Sequence, residues 1–496
     1  MTGVPIVAGV DSSTQSSTVQ LRDADDGRLL GAGSAPHPAV RPPRSEHNPA
    51  EWWSALRTAL AAAVADAGVT AYDIDAIAVD GQCHGLVALG TDGTVLRPAK
   101  LWNDTESAPQ ARALVERLGA DFWAGTVGSV PTAAFTVTKL AWLAEHEPAT
   151  LRRLGTVLLP HDWLTYRLCG RAVTDRSEAS GTGYFSAREG RWLPEVLALV
   201  DDALPWPDLL PAVCGPDEPA GTVSAAAAAA TGLRAGIPVG PGAGDQHAAA
   251  LGLGVGPGDL VFSLGTSGVA FARAAEPVAD PTGIVNGVAD ATGGYLPLVC
   301  TLNCTLVTDL FATLLGVDLP KLAELALAAP ADADRPVLAP YLGAERTPDL
   351  PDARGLLGGL RLGTTRAQLA RAGYEGVLLG LLDGADALRR VGVDTSGRVL
   401  ATGGGSRSPA YTQLLADLTG RAVTVLDVPD ASVRGACVQA AAILRGDRVG
   451  ELAASWAPAR TGTVEPRPGP DAGWLRDRYQ RLAGWSGHTE PWRGRP

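Results

Sequence analysis

Short apolar runs separated by small polar residues open the chain, and they predict strands over residues 4–10, 17–21 and 28–34 with an Asp25-Asp26-Gly27 turn before the third. Such a series is a β-meander. The period then changes, because Trp52, Leu56, Leu60 and Val64 recur every four residues, and a helix with one apolar face is expected over residues 49–67. A buried strand is expected at 74–79. Near residue 260 the opening pattern returns: a strand at 260–264, a Gly-Thr-Ser-Gly loop and a strand at 269–273. Two such units about 250 residues apart suggest a duplicated architecture in two halves, 1–252 and 253–496, with the Gly-rich stretch 252–258 as the candidate hinge. A long helix at 369–391, a strand at 398–402, a helix at 409–419 opened by Pro409 and a helix at 434–444 give the second half an α/β alternation.

Length and composition agree with two folded lobes. A chain of 496 residues exceeds one ordinary core, and 46% hydrophobic with 19% charged residues is a globular balance. The formal net charge of −12 argues against general affinity for nucleic acid or an anionic membrane, yet leaves room for ATP, whose phosphates are held locally by backbone N–H groups and a metal ion. The six cysteines are scattered. Cys300 and Cys304, spaced as if on one helix face, lack a second Cys or His pair, so buried thiols in a reducing cytoplasm are expected rather than a metal site. Residues 1–5 lead into the first strand without the pattern of an export signal, and the polyalanine run at 225–230 is far below membrane-spanning length. A soluble, cytoplasmic protein is expected.

Four polar elements interrupt the apolar pattern. In the loop Asp11, Ser12, Ser13, Thr14, Gln15, Ser16, a carboxylate at a strand end beside hydroxyls can hold Mg²⁺ through water while backbone N–H groups approach phosphate; the same composition also suits a hairpin that caps itself. The loop Gly265, Thr266, Ser267 repeats this arrangement in the other half. Between a strand and a helix, Gly403, Gly404 and Gly405 let the backbone come close to a flat ring or a phosphate. The chain has neither a GxGxxG nor a GxxxxGK[ST] loop, which disfavours a dinucleotide-dependent oxidoreductase. Lastly, Asp245 stands in GAGDQH at a strand-to-helix junction, where an acid serves as a helix cap, as a general base for phosphoryl transfer to an alcohol, or as both. His247 reads as structural.

The segments VAGVDSSTQSS, DGQCHG (80–85), LRPAKLWND (96–104), GAGDQHAAALGLG and SLGTSG occur in the order and spacing of xylulokinases, and the chain resembles an FGGY carbohydrate kinase over essentially its whole length. Two longer family signatures, AFTVTKLAWLAEH (134–146) and GLLGGLRLGTTRAQLARAGYE (355–375), appear with one departure each, at Ala134 and Gly373, and PYLGAERTPDLPDARG (340–355) precedes the second. The resemblance implies an α/β fold of two actin-like, ribonuclease H-like ATPase domains with an inter-domain catalytic cleft, 1–252 binding sugar and carrying the base, 253–496 binding nucleotide. Asp245 matches the family's catalytic base and Asp11 the acid that helps place Mg²⁺ and ATP, with Ser13, Thr14 and Gln15 in the same phosphate loop. Cys83 and His84 match the pair that contacts the sugar. Trp102 reads equally as core or as a wall of the sugar site beside Asn103. Gly265 and Thr266, with Ser267, match the second phosphate loop, and Gly403, Gly404 and Gly405 the glycines beside adenosine.

The implied reaction is transfer of the γ-phosphoryl group of Mg·ATP to D-xylulose O5. The competing expectations are another ketopentose or polyol (ribulose, L-xylulose, glycerol, erythritol) or an actin-like ATPase without a sugar, which leaves DGQCHG, LWND and GDQH unexplained. Partners are a small sugar and ATP, with no nucleic acid or membrane, and a homodimer is the assembly considered. Cys83, Gln246 and the pair Thr105-Glu106 depart from the Met, Asn and Gly-Arg common in xylulokinases, and a methylene or two in a pocket is worth ~1–3 kcal/mol of discrimination.

Overall fold

A computed structural model describes residues 4–332, 335–343, 345–348, 350, 352–459, 462–468 and 473–486. Met1, Thr2 and Gly3, and Ala344, Asp349 and Pro351 of the segment 340–355, lie outside them. The chain forms two compact units that are not contiguous in sequence. The first comprises Met1–Val255, Ala275–Leu296 and Asp430–Pro458; the second comprises Gly256–Ala274, Pro297–Pro429 and Ala459–Pro496. A single division at residue 252 therefore leaves out two returns of the chain, the longer one carrying two complete helices.

The first unit is built on β1 (Ile6–Ser12), β2 (Ser16–Asp23), β3 (Leu29–Pro36), β4 (Ile74–Gly81), β5 (Gly221–Thr222), β6 (Pro238–Val239) and β7 (Ala243–Gly244). Their order across the sheet is β5-β6-β4-β1-β2-β3, with β7 also on β4. The expected meander is β1-β2-β3, antiparallel throughout, and β4 runs parallel to β1. Strand alternation explains the layers. Ile6, Ala8 and Val10 of β1, with Ile77 and Val79 of β4, pack in one core with Trp52, Leu56 and Leu60 of α1 (Pro49–Ala67). That helix has the predicted bounds because Asn48 caps it, Pro49 opens it, and Gly68 at φ 68° closes it in the left-handed region.

Val7, Ala76 and Ala78 face the other way, into a core shared with α2 (Asp245–Gly252) and α3 (Ala431–Arg445). Small residues are required here because the backbones nearly touch: a Cβ on Gly9 would lie 2.4 Å from the Val433 carbonyl oxygen. The two helices cross through glycines as well. A Cβ on Gly252 would lie 2.0 Å from the Ala431 oxygen, and one on Gly435 1.8 Å from the Ala248 oxygen. Gly252, first residue of the candidate hinge, is thus a packing glycine at the end of a helix.

The second unit repeats the plan with β8 (Leu260–Leu264), β9 (Gly268–Ala272), β10 (Leu298–Thr301), β11 (Val399–Thr402), β12 (Val423–Val425) and β13 (Gly462–Val464), ordered β10-β9-β8-β11-β12-β13. The pairs β8-β9 and β9-β10 are antiparallel and β8-β11 is parallel, the same relation as β1, β2, β3 and β4. Helices Arg366–Arg390 and Pro409–Thr419 belong to this unit. Cys300 lies in β10 and Cys304 just before helix Thr305–Leu315, so the two do not share a helix face. None of the six cysteines is in a disulfide. No described helix is long and apolar enough to cross a membrane.

Candidate active site

Three strands of the first unit end together, and each delivers an acid. In register, Asp11 of β1 stands beside Asp80 of β4, Asp80 is paired with Ala243 of β7, and Asp245 begins the helix after β7. The carboxyl ends of parallel strands are where open α/β sheets bind ligands. Asp80 is buried, and neither of its carboxylate oxygens has a hydrogen-bond partner among the described residues. Asp11 accepts a hydrogen bond from Ser432 Oγ at 2.8 Å through Oδ2, while its buried Oδ1 has no partner. Burial, then the neighbouring Asp245 charge, pushes Asp11 up to about 7, although the Ser432 hydroxyl opposes the shift. Burial and the charges of Asp11 and Asp245 hold Asp80 well above the usual carboxylate range. Two such carboxyls relieve their repulsion by holding a proton between them, or by a cation that replaces it.

Asp245 is the first residue of α2, whose N-cap is Gly244, so the acid does not cap the helix. Its Oδ1 accepts from the Gln246 backbone N–H at 2.7 Å and from the Cys83 thiol at 3.3 Å. Burial raises this carboxyl to about 6, and the Cys83 hydrogen bond holds it from rising further.

Cys83 and His84 follow β4. His84 has φ 63°, uncommon for a residue with a side chain. The Glu178 carboxylate holds it there: Oε1 accepts the His84 backbone N–H and lies 3.2 Å from Nδ1, and the ring stacks on Phe135 with centroids 5.3 Å apart. A Cβ on Gly181 would fall 1.8 Å from His84 Cε1, so glycine leaves the room that the ring fills. Glu178 is positioned in turn by Asp175, whose carboxylate caps helix Arg176–Ala179 by accepting from Ser177 and Glu178 N–H groups. Asp175 also lies 3.3 Å from His161 Nε2, and Asp162 lies 3.2 Å from the same nitrogen. Burial opposes charge on that imidazole, but the two acids win and raise it to about 9.

In the first loop, Trp102 Nε1 donates to Thr14 Oγ1 at 2.9 Å, and Thr14 Oγ1 donates in turn to Gln82 Oε1 at 3.4 Å. The half-buried indole is therefore tied to the loop after β1, and Thr14 to the tryptophan rather than to open backbone. Asn103 keeps a buried Oδ1 without a partner among the described residues. Ser13 and Gln15 use their carbonyls to hold His37: Nδ1 lies 3.0 Å from the Ser13 oxygen, and the His37 N–H donates to the Gln15 oxygen at 2.7 Å. Glu106 is turned away from this group. Its carboxylate meets the buried Lys100 ammonium at 2.6 Å, which also pairs with Asp104 at 3.1 Å and lies over the Trp142 ring at 3.9 Å.

In the second unit Gly265, Thr266 and Ser267 form the tight turn between β8 and β9, with Thr266 and Ser267 exposed. The carbonyls of Gly265 and Thr266 accept the N–H groups of Thr305 and Cys304. Ser263 pairs with Thr402, so Gly403, Gly404 and Gly405 leave the neighbouring parallel strand at the same end. Gly403 has φ 86° and its Cβ would meet the Leu264 oxygen at 2.9 Å, whereas Gly404 opens onto free space. The two expected loops are brought side by side.

Asp80 and Glu178 are the members of the first group that sequence reasoning does not single out. Asp80 heads the DGQCHG segment at a strand end, a signal equal to that of Asp11. Glu178 has no motif of its own and is recognisable only through its contact with His84.

Family models for the N-terminal and C-terminal domains of the FGGY family of carbohydrate kinases match residues 6–252 and 260–444. The chain is 46% identical over 455 residues to a xylulose kinase of Streptomyces coelicolor, covering 91% of each protein. It is 45% identical over 462 residues to a xylulose kinase of Streptomyces rubiginosus, covering 93% of this chain and 92% of that one. A crystal structure of xylulose kinase from Bifidobacterium adolescentis superposes with a TM-score of 0.86 at 38% identity, over 96% of this chain and 99% of the other.

Proposed function

The chain belongs to the FGGY family of carbohydrate kinases, and from that premise we propose that it transfers the γ-phosphoryl group of ATP to O5 of D-xylulose, with Asp245 accepting the hydroxyl proton. The observation that carries this reading is the Asp245 carboxylate itself: it begins a helix, is held by the Gln246 N–H and the Cys83 thiol, and is raised to about 6. A carboxyl tuned there is ionised at neutral pH and still basic enough to take a proton as the alcohol attacks.

Cys83, His84, Trp102, Asn103 and Gln246 are the residues we assign to the sugar, and the unpartnered Asn103 Oδ1 and Glu178 Oε2 supply acceptors suited to its hydroxyls. In the second unit, Gly265, Thr266 and Ser267 are assigned to the phosphates and Gly403, Gly404 and Gly405 to the adenosine, on the strength of the exposed Thr266, Ser267 and Gly404 and the shared strand ends. The unpartnered oxygens of Asp11 and Asp80 are hard donors that fit Mg²⁺, directly or through water. When bound, that ion neutralises charge on the transferring phosphoryl group.

D-xylulose is favoured by the names of the Streptomyces relatives at 45–46% identity. Of the departures beside the expected pocket, Glu106 is committed to Lys100 and Thr105 is exposed, so Cys83 and Gln246 are the side chains we assign to the pocket's shape. Assay of D-xylulose, L-ribulose, L-xylulose, glycerol and erythritol with ATP and Mg²⁺, following ADP, tests the assignment. D-xylulose should have the highest kcat/KM by about tenfold or more. A different winner overturns the substrate, and ADP release indifferent to every sugar overturns the kinase.

A further inference from the structure

We propose that Cys83, Glu178 and His247 form a binding site for a thiophilic divalent cation of the Zn²⁺ class, directly beside Asp245. Ligand atoms of these three residues all lie within 4.8 Å of one another. The backbone of Gly244 lies against all three: a Cβ there would come 2.4 Å from Glu178 Oε2, 2.6 Å from Cys83 Sγ and 2.7 Å from His247 Nδ1, so glycine is what lets these atoms gather.

Two of the three donors are also unpartnered, while the third, the Cys83 thiol, donates to Asp245 Oδ1. His247 is 2% exposed, and neither ring nitrogen has a hydrogen-bond partner among the described residues. Glu178 is fully buried and spends Oε1 on His84, while Oε2 has no partner. Buried polar atoms are normally paired, so the unpartnered Glu178 Oε2 and His247 Nδ1 gathered beside the Cys83 sulfur mark a ligand site. The His247 reading as a purely structural residue does not account for two idle nitrogens.

The donor set selects the ion. A thiolate, an imidazole and a carboxylate suit Zn²⁺, with bonds of about 2.0–2.3 Å and a fourth position left over, whereas Mg²⁺ prefers oxygens. Asp245 Oδ1, 3.3 Å from Cys83 Sγ, or a water would complete a tetrahedron. On binding, the Cys83 thiol gives its proton to solvent and the thiolate donates a lone pair to the cation, with no change in oxidation state. A second cluster illustrates the contrast: Glu46, Asp104 and Glu106 also converge, but the Lys100 ammonium already occupies their centre, at 3.4, 3.1 and 2.6 Å.

Binding at this site does not depend on the kinase reading. Its consequence does: a cation on Cys83 and next to Asp245 displaces the sugar, so Zn²⁺ should inhibit in competition with D-xylulose.

The test uses the metal-stripped full-length protein, titrated with Zn²⁺ against a chromophoric chelator and, separately, with Co²⁺. One Zn²⁺ per chain at submicromolar Kd is expected, along with a thiolate-to-cobalt charge-transfer band. Cys83→Ser should abolish the band, and both Cys83→Ser and His247→Ala should weaken Zn²⁺ binding by at least about 100-fold, more than the loss of an outer-sphere partner. Should His247→Ala fail to fold, Cys83→Ser, nearly isosteric, decides alone. Binding no tighter than about 100 μM, a cobalt complex without the thiolate band, or affinity indifferent to Cys83→Ser overturns the site. A chain that shows the band but no sugar-dependent ADP release keeps the metal site and loses the kinase.

Discussion

Asp245 and Asp11 share a physical cause for their chemistry: each carboxylate closes a β-strand or opens a helix where burial makes its charge costly. For a base, the direction of the shift fixes the pH response. A carboxyl raised to about 6 is the competent, ionised form above that pH and loses competence as protons bind below it. Asp11, raised to about 7, loses its charge slightly earlier. With D-xylulose as substrate, log kcat/KM should therefore be level at alkaline pH and fall as pH drops through 7 to 6; a profile still flat at pH 5 would contradict the assignment. Asp11 and Asp245 are legible in the sequence because each lies in a short polar interruption of an apolar pattern, whereas Cys83 and His84 stand out only through the family resemblance of DGQCHG. Glu178 is not, since its effect passes through space to a histidine 94 residues away. The cap position open to Asp245 in the sequence falls to Gly244 instead, which has no side chain to cap with, and Asp245 stands one residue inside the helix.

Elements were most legible where termination signals were local. Asn48, Pro49 and Gly68 fix both ends of α1, and Pro409 and Gly420 fix helix Pro409–Thr419. The Cys300 and Cys304 spacing misled because β10 ends between them. Glycine is equally ambiguous in a sequence: a Gly-rich stretch reads as a hinge, yet Gly252 in α2 and Gly435 in α3 are glycines because two helix backbones meet there. Gly435→Ala should be an overpacking substitution, since the new methyl would meet backbone that cannot rotate away. A loss of about 1–3 kcal/mol, or more if α3 is forced off the sheet, is expected as a lowered Tm and a lower urea midpoint. An unchanged Tm would show that the helices are less tightly crossed than described.

At the scale of the molecule, the duplicated topology was visible because the strand-loop-strand pattern recurs, β1-β2-β3 beside β4 and β8-β9-β10 beside β11. The return of Asp430–Pro458 to the first unit was not visible, because α3 has an ordinary amphipathic pattern and nothing local names the sheet it covers. The consequence is measurable. A fragment of residues 1–252, cut where the N-terminal family model ends, would expose Val7, Ala76, Ala78 and Leu251, which the full chain buries together with Ala436 and Ala440. It should aggregate or unfold without a cooperative transition, and a soluble fragment melting like the intact protein would contradict this account of the first unit. The central claim concerns one atom pair, the proton on a sugar hydroxyl and the Asp245 carboxylate. Asp245→Asn keeps size and shape while removing the base, so D-xylulose-dependent ADP formation should fall by at least about 10²–10⁴-fold with Tm and sugar affinity retained. Turnover within about tenfold of the unaltered protein would contradict it.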